Sequence, residues 1–230
     1  MTGGVLVVTA HPDDAEFHFG ATVAQFVAEG SHVSYLIVTN GDQGICEDPL
    51  ALPGTVGPVR CDEQRRAAEL LGVQDVTFLG WPDGNVAPSP MLRRAIVAEL
   101  RRDRPRVVIT HYPHRVLAVP LEASHPDHLG VGEAVLQAVY PDAGNVRAFP
   151  ELMGSGLTPH KVEEVWIPGY EHPNHYVEAT PYLEKKVEAI CCHRSQLRTD
   201  GAPEWIYNWM REVGRVPGYQ YSESFTRISV

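Results

Sequence analysis

The sequence is short of cysteine, has no long apolar run and has no basic stripe, and each absence removes a class of protein. Its four cysteines, Cys46, Cys61, Cys191 and Cys192, form no CxxC pair, so a zinc ribbon is not expected. The vicinal pair Cys191-Cys192 falls in a helical pattern, where a normal bridge does not readily close, and the four read as reduced thiols of a cytoplasmic protein. No stretch approaches the roughly 18 consecutive apolar residues of a membrane span. The N-terminal Met-Thr-Gly-Gly enters an apolar run without a basic segment, so a signal peptide is not expected. Lys and Arg number 19 against 29 Asp and Glu, a net charge of −10. That balance, with no Lys/Arg run, excludes a nucleic-acid partner. At 230 residues and roughly 150 residues per domain, one domain over 1–230 is expected. It is large enough to bury most of its apolar surface without disulfides. What the chain does have is histidine, eleven of them.

The hydrophobic pattern alternates between two periods. Val5 to Thr9 and Val33 to Thr39 are β-branched, nearly continuous apolar runs, as in strands buried on both faces. Val76 to Leu79, Arg106 to Thr110 and Val162 to Ile167 read as further strands. Helices are expected over Asp14 to Glu29, Asp62 to Leu71, Pro88 to Arg102, His128 to Val139 and Thr180 to Cys192, with Gly30 and Gly72 as stops. Residues 40–59 read as a long loop rich in Gly, Pro and Asp. Strands alternating with helices predict an α/β fold, a Rossmann-like three-layer sandwich around a mainly parallel sheet. There is no internal repeat and no low-complexity segment.

Ligands of open α/β sheets bind at the carboxyl ends of the strands. After the first strand stands His11-Pro12-Asp13-Asp14, after the third Asp83-Gly84, and after the fourth a loop that ends in His125-Pro126-Asp127-His128. Two His-Pro-Asp triplets therefore share one sheet edge. Imidazole and carboxylate together suit zinc, and a catalytic zinc takes three protein ligands and leaves one position open. His11, Asp14 and His128 supply such a set, with Asp13 beside it as a free base and His125 one turn from His128. Asp13 and Asp14 also have a plainer reading, as caps of the following helix.

These residues resemble the LmbE-like (PIG-L-type) N-acetylglucosaminyl deacetylases. The likeness extends to Gly41-Asp42, to Arg60-x-x-Glu63 opening a helix that ends Leu71-Gly72, and to Asp83-Gly84. It continues through Lys185 to Gln196, with its His-x-Ser-Gln segment, to Glu223-Ser224-Phe225. Gly20-Ala21 replaces a usual glycine pair, Glu178 stands where Asp is usual, and residues between His111 and Ser124 have no familiar counterpart. The resemblance implies Zn2+ on His11, Asp14 and His128, Asp13 as general base, and His125 as donor to the oxyanion. It places Arg60 and Asp83 at the sugar hydroxyls of a small-molecule amino-sugar conjugate. Homo-oligomers are common in the family.

The residues leave alternatives open. Ester or other amide hydrolysis at the same metal is one, and a non-catalytic metal-binding protein is another. A nucleotide-binding Rossmann domain is disfavoured, because no G-x-G-x-x-G follows the first strand and two carboxylates open the first helix. His193 is expected to fasten two elements, and His18 to stand behind the ligands or aside. His111, His114, His172 and His175 fall in loops. Residues 42–59, 111–124 and 140–161 are the expected seat of substrate choice.

Overall fold

β-Branched runs and glycine stops lay out a seven-stranded sheet in the computed structural model, which describes residues 4–45, 54–197 and 202–230. The strands are β1 (Val5–Thr9), β2 (Val33–Thr39), β3 (Asp75–Trp81), β4 (Val107–Thr110), β5 (Glu164–Pro168), β6 (His175–Glu178) and β7 (Ser222–Ser229). Their spatial order is β3-β2-β1-β4-β5-β7-β6. The first five run parallel, while β7 pairs antiparallel with both β5 and β6. The sheet is thus mainly parallel, as expected, with one reversed strand that the alternating pattern did not announce.

Alternate residues of each central strand feed opposite layers, as the two-residue period requires. Val5 and Val7 of β1, Tyr35 and Ile37 of β2, and Val107 and Ile109 of β4 pack with Phe19, Val23 and Phe26 of α1 (Asp14–Ala28) and Ala67 and Leu71 of α2 (Val56–Leu71). Leu6, Val8, Leu36, Val38 and Val108 pack on the other face with Leu92 and Ile96 of α3 (Pro90–Asp103) and Val131 and Val135 of α4 (Pro126–Gln137). α5 (Leu183–Ile190) joins the first layer, and α6 (Glu204–Gly214) buries Ile206 and Met210 against Ala21 and Ile190. Three layers result. β3, at one edge, alternates exposed and half-buried residues where β1 and β2 are buried throughout.

The expected elements shift at their ends for identifiable reasons. α2 begins at Val56, six residues before the expected Asp62, because Pro58 sits in its first turn, where no backbone N–H is needed. The loop expected over 40–59 is shorter for the same reason, and its residues 46–53, with Cys46, lie outside the described residues. Cys61, Cys191 and Cys192 are free. Ser89 caps α3, its hydroxyl accepting from the Leu92 N–H. The expected start of the last helix at Thr180 is a separate 3-10 turn, Thr180–Tyr182. Residues 140–161 wrap around buried Arg101, whose guanidinium donates to the carbonyls of Asp142, Ala143, Asn145 and Ala148. β6, α6 and β7 were not read from the sequence.

Two buried charges brace α1 from behind. Lys186 Nζ lies 2.6 Å from Glu223 Oε1 and donates to the Phe17 carbonyl at 2.8 Å. Glu223 in turn accepts from the Ala21 and Thr22 amides and from the Thr22 hydroxyl. The pair reaches α1 beside Gly20, where a Cβ would stand 3.0 Å from Lys186 Cγ, so the missing side chain leaves room for the lysine stem. No helix among the described residues is long and apolar enough to cross a membrane.

Candidate functional site

The strand order turns back on itself at β1, with β2 and β3 to one side and β4 and β5 to the other. Such a switch point opens a crevice at the carboxyl ends of the strands. β1 delivers His11, Asp13 and Asp14 there, β3 delivers Asp83, β4 delivers His111, and the start of α4 delivers His125, Asp127 and His128.

Asp14 lies at the centre of the crevice. Its Oδ2 accepts from the His11 amide at 2.7 Å and lies 3.4 Å from His11 Nδ1, while its Oδ1 lies 3.0 Å from His128 Nε2. His111 Nε2 stands 3.2 Å from the same carboxylate but accepts the Ala10 N–H at 3.0 Å. That acceptor role fixes His111 as a neutral ring with its proton on Nδ1, so the Asp14 contact is not an ion pair. Burial, reinforced by His128, pushes His111 down to about 4. Asp14 itself is held well below the usual carboxylate range: burial opposes ionisation, but His128 first, and then His11, outweigh it.

His11 faces two further carboxylates. Its Nε2 lies 3.1 Å from Asp83 and 3.3 Å from Asp127. Burial would lower its pKa, yet Asp127, Asp14 and Asp83 together raise it to about 12. Asp127 also accepts from the Gly84 and Val86 amides, and so ties the β3 loop to His11. It does not cap α4. That task falls to His125, whose Nδ1 accepts the Asp127 N–H at 3.2 Å. The bond leaves the proton of neutral His125 on Nε2, and burial, with His11 nearby, lowers the ring's pKa.

Asp13 behaves unlike its neighbour. It occupies the cap position of α1, but its side chain makes no capping bond and its backbone has φ 102°. A non-glycine residue there is strained, at a cost on the order of 1–3 kcal/mol. The plain capping reading therefore does not describe Asp13. Its carboxylate meets Arg60 Nη2 at 3.1 Å, and its amide donates to Gln64 Oε1 at 2.8 Å. Burial raises its pKa against the pull of Arg60.

Arg60, expected at the sugar, is buried and spent on the chain itself. Its guanidinium donates to the Pro12 carbonyl at 2.6 Å, to the Gly41 carbonyl at 3.0 Å and to Asp13. Gly41 adopts φ 70°, and a Cβ there would stand 2.4 Å from the guanidinium, so glycine serves both the turn and the approach. Asp83, also expected at the sugar, is buried between His11 and the Gln43 amide, which lies 2.7 Å from its Oδ2. Burial opposes its ionisation, but His11 and that amide bring its pKa down to about 2.

The chemistry of these donors fits a divalent metal. Among the described residues, three sets bring ligand atoms within 4.8 Å of one another: His11, His125 and His128; His18, His111 and His128; and His11, Asp83 and Asp127. The expected set of His11, Asp14 and His128 shares two members with the first, and Asp14 touches both. His128 Nδ1 is buried without a hydrogen-bond partner, a costly arrangement unless a ligand takes the lone pair. Four carboxylates crowd the crevice, and a cation of charge two would offset them.

Sequence reasoning missed Gln64 and Glu16 and left His111 without a role. His111 carries a weak signal, a histidine immediately after a buried strand. Gln64 carries none, since nothing in a helical pattern marks a glutamine whose partners lie 48 and 51 residues away. His18, one turn past Asp14, stacks edgewise on His111 and His128 and meets the Tyr170 hydroxyl at 3.3 Å. Burial, then His111, lowers it to about 3. His193 fastens elements as expected, its Nε2 standing 3.1 Å from Glu16.

Residues 6–139 match the family described as PIG-L, GlcNAc-PI de-N-acetylase. Among curated proteins, the chain is 29% identical to the diacetylchitobiose deacetylase of Thermococcus kodakarensis, over 95% of this chain and 80% of that protein. It is 32% identical to the 1D-myo-inositol 2-acetamido-2-deoxy-alpha-D-glucopyranoside deacetylase of Thermomonospora curvata, over 84% of this chain and 80% of that one. Among solved structures, the N,N'-diacetylchitobiose deacetylase of Pyrococcus horikoshii, bound to an inhibitor, superposes with a TM-score of 0.88 at 28% identity, covering 98% of this chain and 84% of that one. The matched segment exceeds half of the chain and carries both His-Pro-Asp triplets, and the chain belongs to the PIG-L family of deacetylases.

Proposed function

We propose that this protein is a zinc-dependent hydrolase that removes the N-acetyl group, or a similar small N-acyl group, from an N-acetylglucosamine-type sugar conjugate. The observation that carries the reading is Asp13. It is a strained, largely buried carboxylate that makes no capping bond to its own helix, is held by Arg60, and adjoins Asp14 beside a crevice of metal-type ligands. A purely structural metal site has no use for it.

In this reading His11, Asp14 and His128 hold the metal. Zinc held there would supply Lewis acidity, polarising an amide carbonyl and making water a better nucleophile near neutral pH. Asp13 accepts the proton of the attacking water as the new C–O bond forms. His125 donates from Nε2 to the carbonyl oxygen as charge develops on it, and its bond from the Asp127 amide fixes the required tautomer. Asp127 and Asp83 hold His11 in place. Asp13 then passes its proton to the departing nitrogen as the C–N bond breaks. The products are a carboxylic acid and a free amine. Arg60 serves here by orienting Asp13, and Asp83 by orienting His11, before either reaches a sugar.

The test is metal analysis of the purified protein, followed by acetate release from N,N'-diacetylchitobiose and from N-acetylglucosamine conjugates, with and without a chelator. Zinc at one per chain and chelator-sensitive acetate release are expected. Asp13→Ala keeps the zinc and loses on the order of 10²–10⁴-fold in kcat. An unchanged rate in that variant removes Asp13 as the base, and full zinc affinity in His128→Ala removes the ligand set.

A further inference from the structure

Asp13 is held from two directions, and only one of them involves charge. Arg60 grips its carboxylate. Gln64, one helical turn further along α2, accepts the Asp13 amide through Oε1 at 2.8 Å. That bond fixes the peptide on which the unusual φ of 102° depends. Gln64 has two chemically different ends, and only the oxygen can accept an N–H.

The orientation of the amide is decided by what lies behind it. Gln64 Nε2 stands 2.9 and 3.0 Å from the two carboxylate oxygens of Glu16, an acceptor-only group that can face nothing but the NH2 end. Glu16 is in turn met by His193 Nε2 at 3.1 Å. Glu16, Gln64 and His193 are all fully buried. A continuous chain of polar contacts therefore runs from the turn after α5, through α1 and α2, to the backbone of Asp13. The same turn is pinned to α2 a second time, where Glu63 accepts from the Ser195 amide at 2.8 Å and from the Ser195 hydroxyl at 2.6 Å.

We propose that Gln64 is a positioning residue for Asp13, kept in the amide orientation that serves it by the buried Glu16–His193 pair. This rests on the reading of Asp13 as the base. Loss of the bond frees the Asp13 peptide to relax from its strained backbone and carries the carboxylate off line, which costs turnover more than substrate binding.

Three variants test it. Gln64→Leu removes both ends of the amide. Gln64→Glu keeps an acceptor for Asp13 but sets a carboxylate against Glu16. The exchanged pair Glu16→Gln with Gln64→Glu restores a donor facing an acceptor and again offers oxygen to the Asp13 amide. With N,N'-diacetylchitobiose as substrate, both single variants are expected to lose about tenfold or more in kcat with KM and zinc content unchanged. The exchanged pair is expected to return to within about threefold of the parent. Hydrogen exchange of the Asp13 amide, followed by NMR in the metal-free and zinc-loaded protein, gives a readout independent of turnover. Protection is expected in the parent and the exchanged pair and is lost in Gln64→Leu. Equal protection in Gln64→Leu, or a rate that falls only with the folded fraction, overturns the proposal. If the parent protein releases no acetate, the deacetylase reading fails and the exchange measurement alone decides the role of Gln64.

Discussion

The two ends of the chain do different work with buried charge. Up to Gln137 a group of buried carboxylates and imidazoles gathers at the strand ends, where Asp14 lies 3.4 Å from His11 and 3.0 Å from His128. After residue 180 the buried charges, Lys186 and Glu223, form no part of the crevice and instead support α1, the helix that opens with Asp14. The N-terminal carboxylates are held in an arrangement that folding alone would not favour, with one residue strained and several like charges close together. The C-terminal pair satisfies its neighbours' donors and acceptors almost completely. A site of this kind requires a stiff support, and the family match, which ends at residue 139, stops short of it.

The largest effect is expected of Glu223→Ala. It strands Lys186 in the interior and leaves the Ala21 and Thr22 amides without their partner, so a loss of about 3–5 kcal/mol is expected. Urea unfolding of the metal-free protein measures it. A variant of parental stability would show that the C-terminal pair is no brace.

Burial holds Asp13 above the usual carboxylate range while Arg60 pulls it down. In the proposed reaction Asp13 must be ionised to act as base, so turnover is expected to fall as pH drops through that raised value. Arg60→Met removes the pull, and the acid limb of the kcat profile is expected to move to higher pH. A limb that stays in place, or moves down, separates Arg60 from Asp13.

The smallest effect is expected where neither region is touched. His32 and Asp75 form a 3.0 Å pair at the opposite edge of the sheet, with side chains 60% and 65% exposed. His32→Ala should change stability by less than about 0.5 kcal/mol in thermal unfolding, and leave kcat alone.

Much of the parallel half was legible because its signals are local. Val5 to Thr9 and Val33 to Thr39 are almost wholly apolar, as suits a strand covered on both faces. β7 was not legible: Ser222–Ser229 mixes polar and apolar residues because only its first part is buried. The twin triplets were visible at the strand ends, but not the division of labour within them. Asp13 and Asp14 are adjacent and identical in type, yet one is strained and gripped by Arg60 while the other gathers three histidines. Asp127 holds His11 and two loop amides, and Arg60, expected at the sugar, is buried against Pro12, Gly41 and Asp13.

The sequence by itself determined the strands of the parallel core, the edge at which they end, and the residue types that meet there. Those follow from hydrophobic period and from chain order, which a single segment carries within itself. Only the tertiary structure decided which carboxylate faces which ring, that Gln64 turns its oxygen to Asp13, and that Lys186 and Glu223 support the first helix. Apart from His11 and Asp14, which are three residues apart, the partners in those contacts are separated by 37 to 202 residues, and their pairing depends on how the layers close over the sheet rather than on any local pattern.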